Sequence, residues 1–178
     1  MICTKLEQCM DARLNDTIVQ RCDNDNVKCV ESSDNRSEVK CEEKKKKYIL
    51  VNTKRKKVIS YKMDGGVVLE DRTVPHNTNK CDNLFVIDDL SKIAILIELK
   101  GVDVLKSLVQ LKGTLELYKS TFKNFGHVYA RAIVTSATTN IKATPEYVNL
   151  VKVIRQTYKG NVKIVERQFK ERDIDLEK

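Results

Sequence analysis

Tryptophan is absent from this chain, proline occurs only twice and glycine six times. That scarcity excludes collagen-like, mucin-like and Gly/Ser-linker architectures. Long apolar runs are missing too. A membrane-spanning helix needs about 20 consecutive apolar residues, whereas the longest stretch, Ile93 to Ile97, is cut by Glu98. The opening Met1-Ile2-Cys3-Thr4-Lys5-Leu6-Glu7 is charged too early to hold a signal-peptide apolar region. The cysteines, Cys3, Cys9, Cys22, Cys29, Cys41 and Cys81, contain no Cys-x-x-Cys pair and no nearby His at ligand spacing. Zinc is therefore unsupported, and reduced thiols in a cytoplasm are expected rather than bridges. No phosphate-binding glycine loop exists, because Gly65-Gly66 lacks the following Lys-Ser/Thr. His76 and His127 form no His-x-x-x-His or Cys/His pattern. The expectation is a cytoplasmic protein without a membrane partner.

What is present is charge. The 178 residues carry 33 Lys plus Arg against 25 Asp plus Glu, a net +8. Residues 1–39 balance to −3, with five basic and eight acidic side chains. Residues 40–57 balance to +7: Lys40, Lys44, Lys45, Lys46, Lys47, Lys54, Arg55, Lys56 and Lys57 face only Glu42 and Glu43. Such a cluster attracts polyanions, and each lysine set on a phosphate steepens the salt dependence of binding. A solvated loop, or a dock for an unidentified acidic protein partner, is the competing reading.

Periodicity gives the outline of the fold. Leu6, Met10, Leu14 and Ile18 recur every fourth residue, with Val19 and Cys22 beside them, and predict an amphipathic helix over 4–21. Residues 23–47 are polar and read as a flexible loop, with a short helix near Glu38 to Lys44 as one option. Strands are predicted at Tyr48 to Val51, Val58 to Tyr61, Val67 to Leu69 and Leu84 to Ile87, the first two separated by a basic turn. Ile93 to Ile97 is apolar at every position, so both faces should be covered, as at the centre of a sheet. Asp103 caps a helix to about Phe122, Val128 to Thr135 is a strand, Pro145 introduces a helix to Tyr158, and Val162 to Phe169 is a last strand. The class is α/β, bordering α+β, with a mixed sheet flanked by helices and an N-terminal helix. The expected organisation is a segment 1–47, a core 48–170 and a charged tail 171–178.

Residues 80–101, KCDNLFVIDDLSKIAILIELKG, hold the candidate chemistry. Asp82 opens one strand and Glu98-Leu99-Lys100 closes the next; alternation puts Glu98 and Lys100 on one face. If the strands pair around residues 88–92, Asp82 comes near Glu98. Two carboxylates and the Leu99 carbonyl oxygen are hard ligands for Mg²⁺ (or Mn²⁺), and Lys100 could orient a water or stabilise developing charge. Four Glu-x-Lys triplets occur, but only Glu98–Lys100 ends an apolar strand with an Asp-initiated strand upstream. A surface ion pair plus a turn-capping aspartate is the plainer alternative.

Cys81-Asp82 followed by Glu98-Leu99-Lys100 resembles the PD-(D/E)xK nuclease superfamily, the fold of many restriction endonucleases and Holliday junction resolvases. The resemblance covers residues 56–135, with Cys81 where the family's proline stands. It implies a restriction endonuclease-like fold and Mg²⁺-dependent hydrolysis of DNA, endonucleolytic and of restriction, defence or recombination type. It assigns Asp82, Glu98 and the Leu99 carbonyl to the metal, and Lys100 and Gln110 to catalysis. One exonuclease branch carries Gln-x-x-x-Tyr; here position 114 is Thr, which disfavours that branch. Some members add an acidic residue on an N-terminal helix, for which Glu7, Asp11, Glu38, Glu42 and Glu43 all qualify. Asp64 is either a turn residue or an extra ligand. Lys44 to Lys47, Lys54 to Lys57 and Lys106 are the candidate phosphate contacts. Many members act as homodimers, which this sequence does not indicate. The alternative from another class is a non-catalytic nucleic-acid-binding or protein-interaction module on the same fold.

Overall fold

A computed structural model describes residues 1–17, 28–71, 74–75, 77–136 and 140–176. Helix α1 (Leu6–Leu14) is followed by strands β1 (Val30–Asp34), β2 (Glu38–Glu43), β3 (Lys46–Val51), β4 (Val58–Lys62), β5 (Asn83–Ile87) and β6 (Ile93–Leu99). Helices α2 (Val104–Leu117) and α3 (Lys119–Phe122) lead to β7 (His127–Val134), then α4 (Pro145–Tyr158), β8 (Val162–Glu166) and β9 (Gln168–Arg172). The chain is thus mixed α/β. A six-stranded sheet has the order β1-β4-β5-β6-β7-β8, and a three-stranded sheet the order β2-β3-β9. The pairs β1–β4, β4–β5 and β5–β6 are antiparallel, while β6–β7 and β7–β8 are parallel. Among the described residues no helix is long and apolar enough to cross a membrane.

Two cores cover the two faces of the large sheet. Leu84, Leu96, Ala130 and Ala132 pack with Leu108, Leu111 and Ile154 of the helices. Phe85, Ile95, Ile97 and Ile133 pack against Tyr48 and Leu50 of the small sheet. All seven residues of β6 are therefore buried, as its uninterrupted apolar run predicts. Each such Ile or Leu contributes about 1.5–3 kcal/mol of transfer free energy. The Asp103 carboxylate accepts from the Lys106 N–H and caps α2. Helix α4 starts at Pro145 as anticipated, and the Thr144 hydroxyl caps it by accepting from the Tyr147 N–H.

Several expectations are corrected. The first helix ends at Leu14 rather than 21, and Ile18, Val19 and Cys22 lie outside the described residues. The segment read as a flexible loop holds β1 and β2, and the option of a helix near Glu38 is replaced by a strand. Val39 and Cys41 alternate with charged residues and turn into the core between the sheets; cross-strand pairing with β3 decides the matter, not local propensity. Although consecutive, β3 and β4 belong to different sheets. Val68 makes only isolated bridges, to Ile2 and Asp64. The single last strand is two, broken at Arg167, whose left-handed φ of 61° carries the chain from one sheet to the other. The charged tail is tied in as well: Asp173 is buried and accepts from the Thr53 and Lys54 N–H groups, and the Leu176 carbonyl accepts from the Tyr129 hydroxyl.

Candidate functional site

The register Asn83↔Ile97 puts the preceding Asp82 opposite Glu98, at the end of the sheet where β6 and β7 finish. The Leu99 N–H donates to Asp82 Oδ2 at 2.6 Å, and the Met63 N–H donates to the Asp82 carbonyl at 2.8 Å. Alternation along β6 turns Ala94, Leu96 and then Glu98 toward the helices. Glu98 is 0% exposed, and neither of its carboxylate oxygens has a hydrogen-bond partner of good geometry among the described residues. Lys100 Nζ stands 3.8 Å from Glu98 Oε1, close enough for attraction and too far for a hydrogen bond. The plainer reading of Glu98 and Lys100 as a surface ion pair does not hold for Glu98, which is fully buried.

A buried acid without donors resists ionisation. Burial first, and the charge of Asp82 second, push the Glu98 carboxyl up to about 9, against the opposing pulls of Lys100 and the Asp82 N–H. Burial likewise raises Asp82 to about 6, moderated by the Leu99 N–H and reinforced by Glu43. The two carboxyls and one ammonium that the sequence grouped are thus adjacent.

Helix α2 supports this end. Gln110 Nε2 donates to the Lys80 carbonyl at 3.1 Å, while its buried Oε1 has no partner among the described residues. Thr114 Oγ1 accepts from the Cys81 N–H at 2.7 Å, fixing the backbone that presents Asp82. Lys80 is buried, with Nζ 2.7 Å from Glu70 Oε1 and 3.4 Å from Asp64 Oδ1. Asp64 sits on a turn that requires glycine: Gly65 has φ +70°, and a Cβ on Gly66 would lie 2.3 Å from the Lys62 carbonyl oxygen. That turn brings Asp64 to a cleft of about 530 Å³ lined also by Asp82, Glu31, Glu42, Glu43 and Lys62.

Of the acidic candidates near the N-terminus, only Glu42 and Glu43 reach this cleft. Glu7 accepts from Asn124, Asp11 pairs with Lys92, and Glu38 pairs with Lys170. The basic run divides. Lys44 and Lys45 form the tip of the β2–β3 hairpin beside Glu43, whereas Lys46 is buried with Nζ 3.2 Å from the Lys44 carbonyl, and Lys47 pairs with Glu42. Lys54, Arg55, Lys56 and Lys57 follow β3 at its other end, where Lys56 pairs with Asp89 of the β5–β6 turn at 2.6 Å and Lys57 pairs with Asp16. They are not brought to the Asp82–Glu98 end. Lys106 is exposed in the first turn of α2. His127 starts β7 at the far end, its Nδ1 3.0 Å from the Lys159 carbonyl, and His76 lies outside the described residues.

Sequence reasoning missed Glu31, Lys62, Lys80 and Thr114. None stands in a recognisable spacing; each reaches the site only through sheet and helix packing. Among the described residues no three His, Cys, Asp or Glu side chains stand close enough to hold a metal ion. Mg²⁺ commonly takes one or two protein carboxylates and keeps several waters. Asp82, Glu98 and the Leu99 carbonyl are the hard donors this end can offer, and the orphaned Glu98 oxygens fit a cation better than they fit an apolar core. Comparison of the chain with protein-family models, with curated proteins and with solved structures returned no match.

Proposed function

We propose that this chain is a metal-dependent nuclease of the PD-(D/E)xK type, hydrolysing phosphodiester bonds of DNA endonucleolytically. The observation that carries the reading is the buried, unpartnered Glu98 carboxylate directly across from Asp82 and beside Lys100. A buried acid left without donors costs about 1–3 kcal/mol or more, a cost a purely structural residue at this position would avoid. The succession of an N-terminal helix, antiparallel β4, β5 and β6, helix α2 and parallel β7 supports the restriction endonuclease-like fold.

In this reading Asp82 and Glu98 hold the cation, with the Leu99 carbonyl as a third donor. When bound, Mg²⁺ supplies Lewis acidity toward a phosphate oxygen and lowers the pKa of a coordinated water. A cation held there would favour the ionised form of Glu98, which burial alone disfavours. Lys100, less tied down than Glu98, orients the attacking water and offsets charge on the phosphate. Gln110 holds the Lys80 carbonyl with its amide nitrogen and leaves its Oε1 to accept from a water.

Supercoiled plasmid incubated with Mg²⁺, Mn²⁺ or EDTA tests this, beside Lys100→Ala. Nicking that requires the metal and is lost in the variant is expected. Salt-sensitive binding with no cleavage would replace the reading with the non-catalytic binding module.

A further inference from the structure

The left-handed backbone region, where glycine is the unstrained choice, is occupied in this chain mostly by cations. Among the described residues seven non-glycine residues have positive φ, and five of them are Lys44, Lys45, Arg55, Lys159 and Arg167. L-residues carry a steric penalty there, and Asn or Gly is the usual occupant of such turns. Penalties of this kind persist where another requirement holds the residue in place.

Three of the five share one end of the molecule. Glu43↔Lys46 pairing closes the β2–β3 hairpin with Lys44 (φ 45°) and Lys45 (φ 67°) as its two turn residues, an arrangement that needs positive φ at both. One step into β3, the Lys47 N–H donates to the Arg167 carbonyl at 2.9 Å, and the Arg167 N–H donates to the Val134 carbonyl at 2.8 Å. Val134 ends β7 beside the end of β6, where the Lys100 N–H donates to the Ile133 carbonyl. Arg167 and the hairpin tip therefore border the same end of the sheet as Asp82, Glu98 and Lys100. Glu42 and Glu43, at the foot of that tip, line the cleft with Asp82.

All three side chains lie in exposed positions. Among the described residues no side chain pairs with Lys45 or Arg167, and Lys44, with a side chain 82% exposed, makes only a 3.5 Å contact with Glu43. The acidic cleft repels a polyanion, so a phosphate chain reaching Asp82 needs cations immediately outside it. Lys54 to Lys57 do not serve, because they stand at the other end of β3. We infer that Lys44, Lys45 and Arg167 form one rail of phosphate contacts beside the cleft, seating the sugar–phosphate backbone of a DNA duplex. The inference rests on the nuclease reading for its substrate and adds Arg167 to the binding surface.

Glycine substitution separates this role from a structural one, since it relieves the backbone while removing the charge. Arg167→Gly and the double variant Lys44→Gly/Lys45→Gly are compared with Lys159→Gly, which makes the same exchange at φ 51° on the end of α4, remote from the cleft. Binding of a labelled duplex of about 30 base pairs is read in EDTA between about 50 and 200 mM KCl, with thermal melting alongside. The rail variants should melt no lower than wild type, and the salt slope should become shallower by about 0.9 for each charge removed. Lys159→Gly should keep both affinity and slope. Equal binding by all variants would overturn the rail, as would absence of binding by wild type, or affinity losses that only track a lower melting temperature. Plasmid nicking in Mg²⁺ is scored separately. A wild type that binds through the rail without nicking removes the nuclease reading and leaves the rail; one that nicks while the rail variants bind normally does the reverse.

Discussion

Two buried glutamates occupy very different surroundings in this molecule. Glu171, between the sheets, accepts from Arg131 Nε at 2.6 Å and Nη2 at 3.1 Å, from the Tyr48 hydroxyl at 2.8 Å and from Lys163 Nζ at 3.3 Å. Arg131 in turn donates to the Ala130 and Asn161 carbonyls and to Asn161 Oδ1. Glu98, at the end of β6, has no hydrogen bond of good geometry among the described residues, only the weak pull of the Asp82 N–H. The same side chain is thus saturated in one place and left open in another. Saturation is what a structural joint between two sheets requires. Openness at a strand end, next to a second carboxylate, is what a ligand site requires.

The largest effect should come from breaking the saturated cluster. Arg131→Met would leave Glu171 charged and buried and should cost about 3–5 kcal/mol, read as a fall in denaturation midpoint. Arg131→Met combined with Glu171→Leu should recover much of that loss. Simple additivity of the two changes would remove the contrast between the clusters.

Glu98→Gln should act in the opposite sense on stability. Because the Glu98 carboxyl is raised from 4.5 to about 9 in the fold, the native state binds its proton more tightly than the unfolded chain does. Metal-free wild type is therefore most stable, as regards this group, below about pH 4.5 and loses stability as pH rises toward about 9. Glu98→Gln should flatten that decline and gain about 1–3 kcal/mol near its upper end, while plasmid cleavage falls by about 10²-fold or more. Asp82, raised to about 6, adds a smaller decline between about pH 4 and 6. Glu98→Gln melting lower than wild type at alkaline pH would contradict the comparison.

Lys100→Ala should sharpen it. The 3.8 Å separation from Glu98 is too long for a hydrogen bond, so stability should change by under about 1 kcal/mol while cleavage is lost. The smallest effect is expected at Lys56→Ala, whose pair with Asp89 at the far end should be worth about 0.5–1 kcal/mol, measured by urea denaturation.

The elements that local pattern could reveal were those whose burial is complete or whose caps are explicit. β6 shows an unbroken apolar run, α2 carries the Asp103 cap, and α4 opens on Thr144-Pro145. Strands β1 and β2 were hidden because Val39 and Cys41 alternate with Lys and Glu in a segment too polar to suggest a core. The break at Arg167 has no glycine or proline to mark it. At the site, period-2 alternation and a short connection sufficed to pair Asp82 with Glu98. The full burial of Glu98 and the approach of Lys80, Glu31 and Thr114 depend on tertiary packing, so no spacing announces them.

The central claim is that Glu98 is held open for a cation. Calorimetric titration of Mn²⁺ into the protein at about pH 7.5, in two buffers of different ionisation enthalpy, counts the protons released on binding. With Glu98 raised to about 9 and Asp82 to about 6, close to one proton per bound ion is expected, and none in Glu98→Gln. Binding without proton release, or no binding at all, would contradict the account.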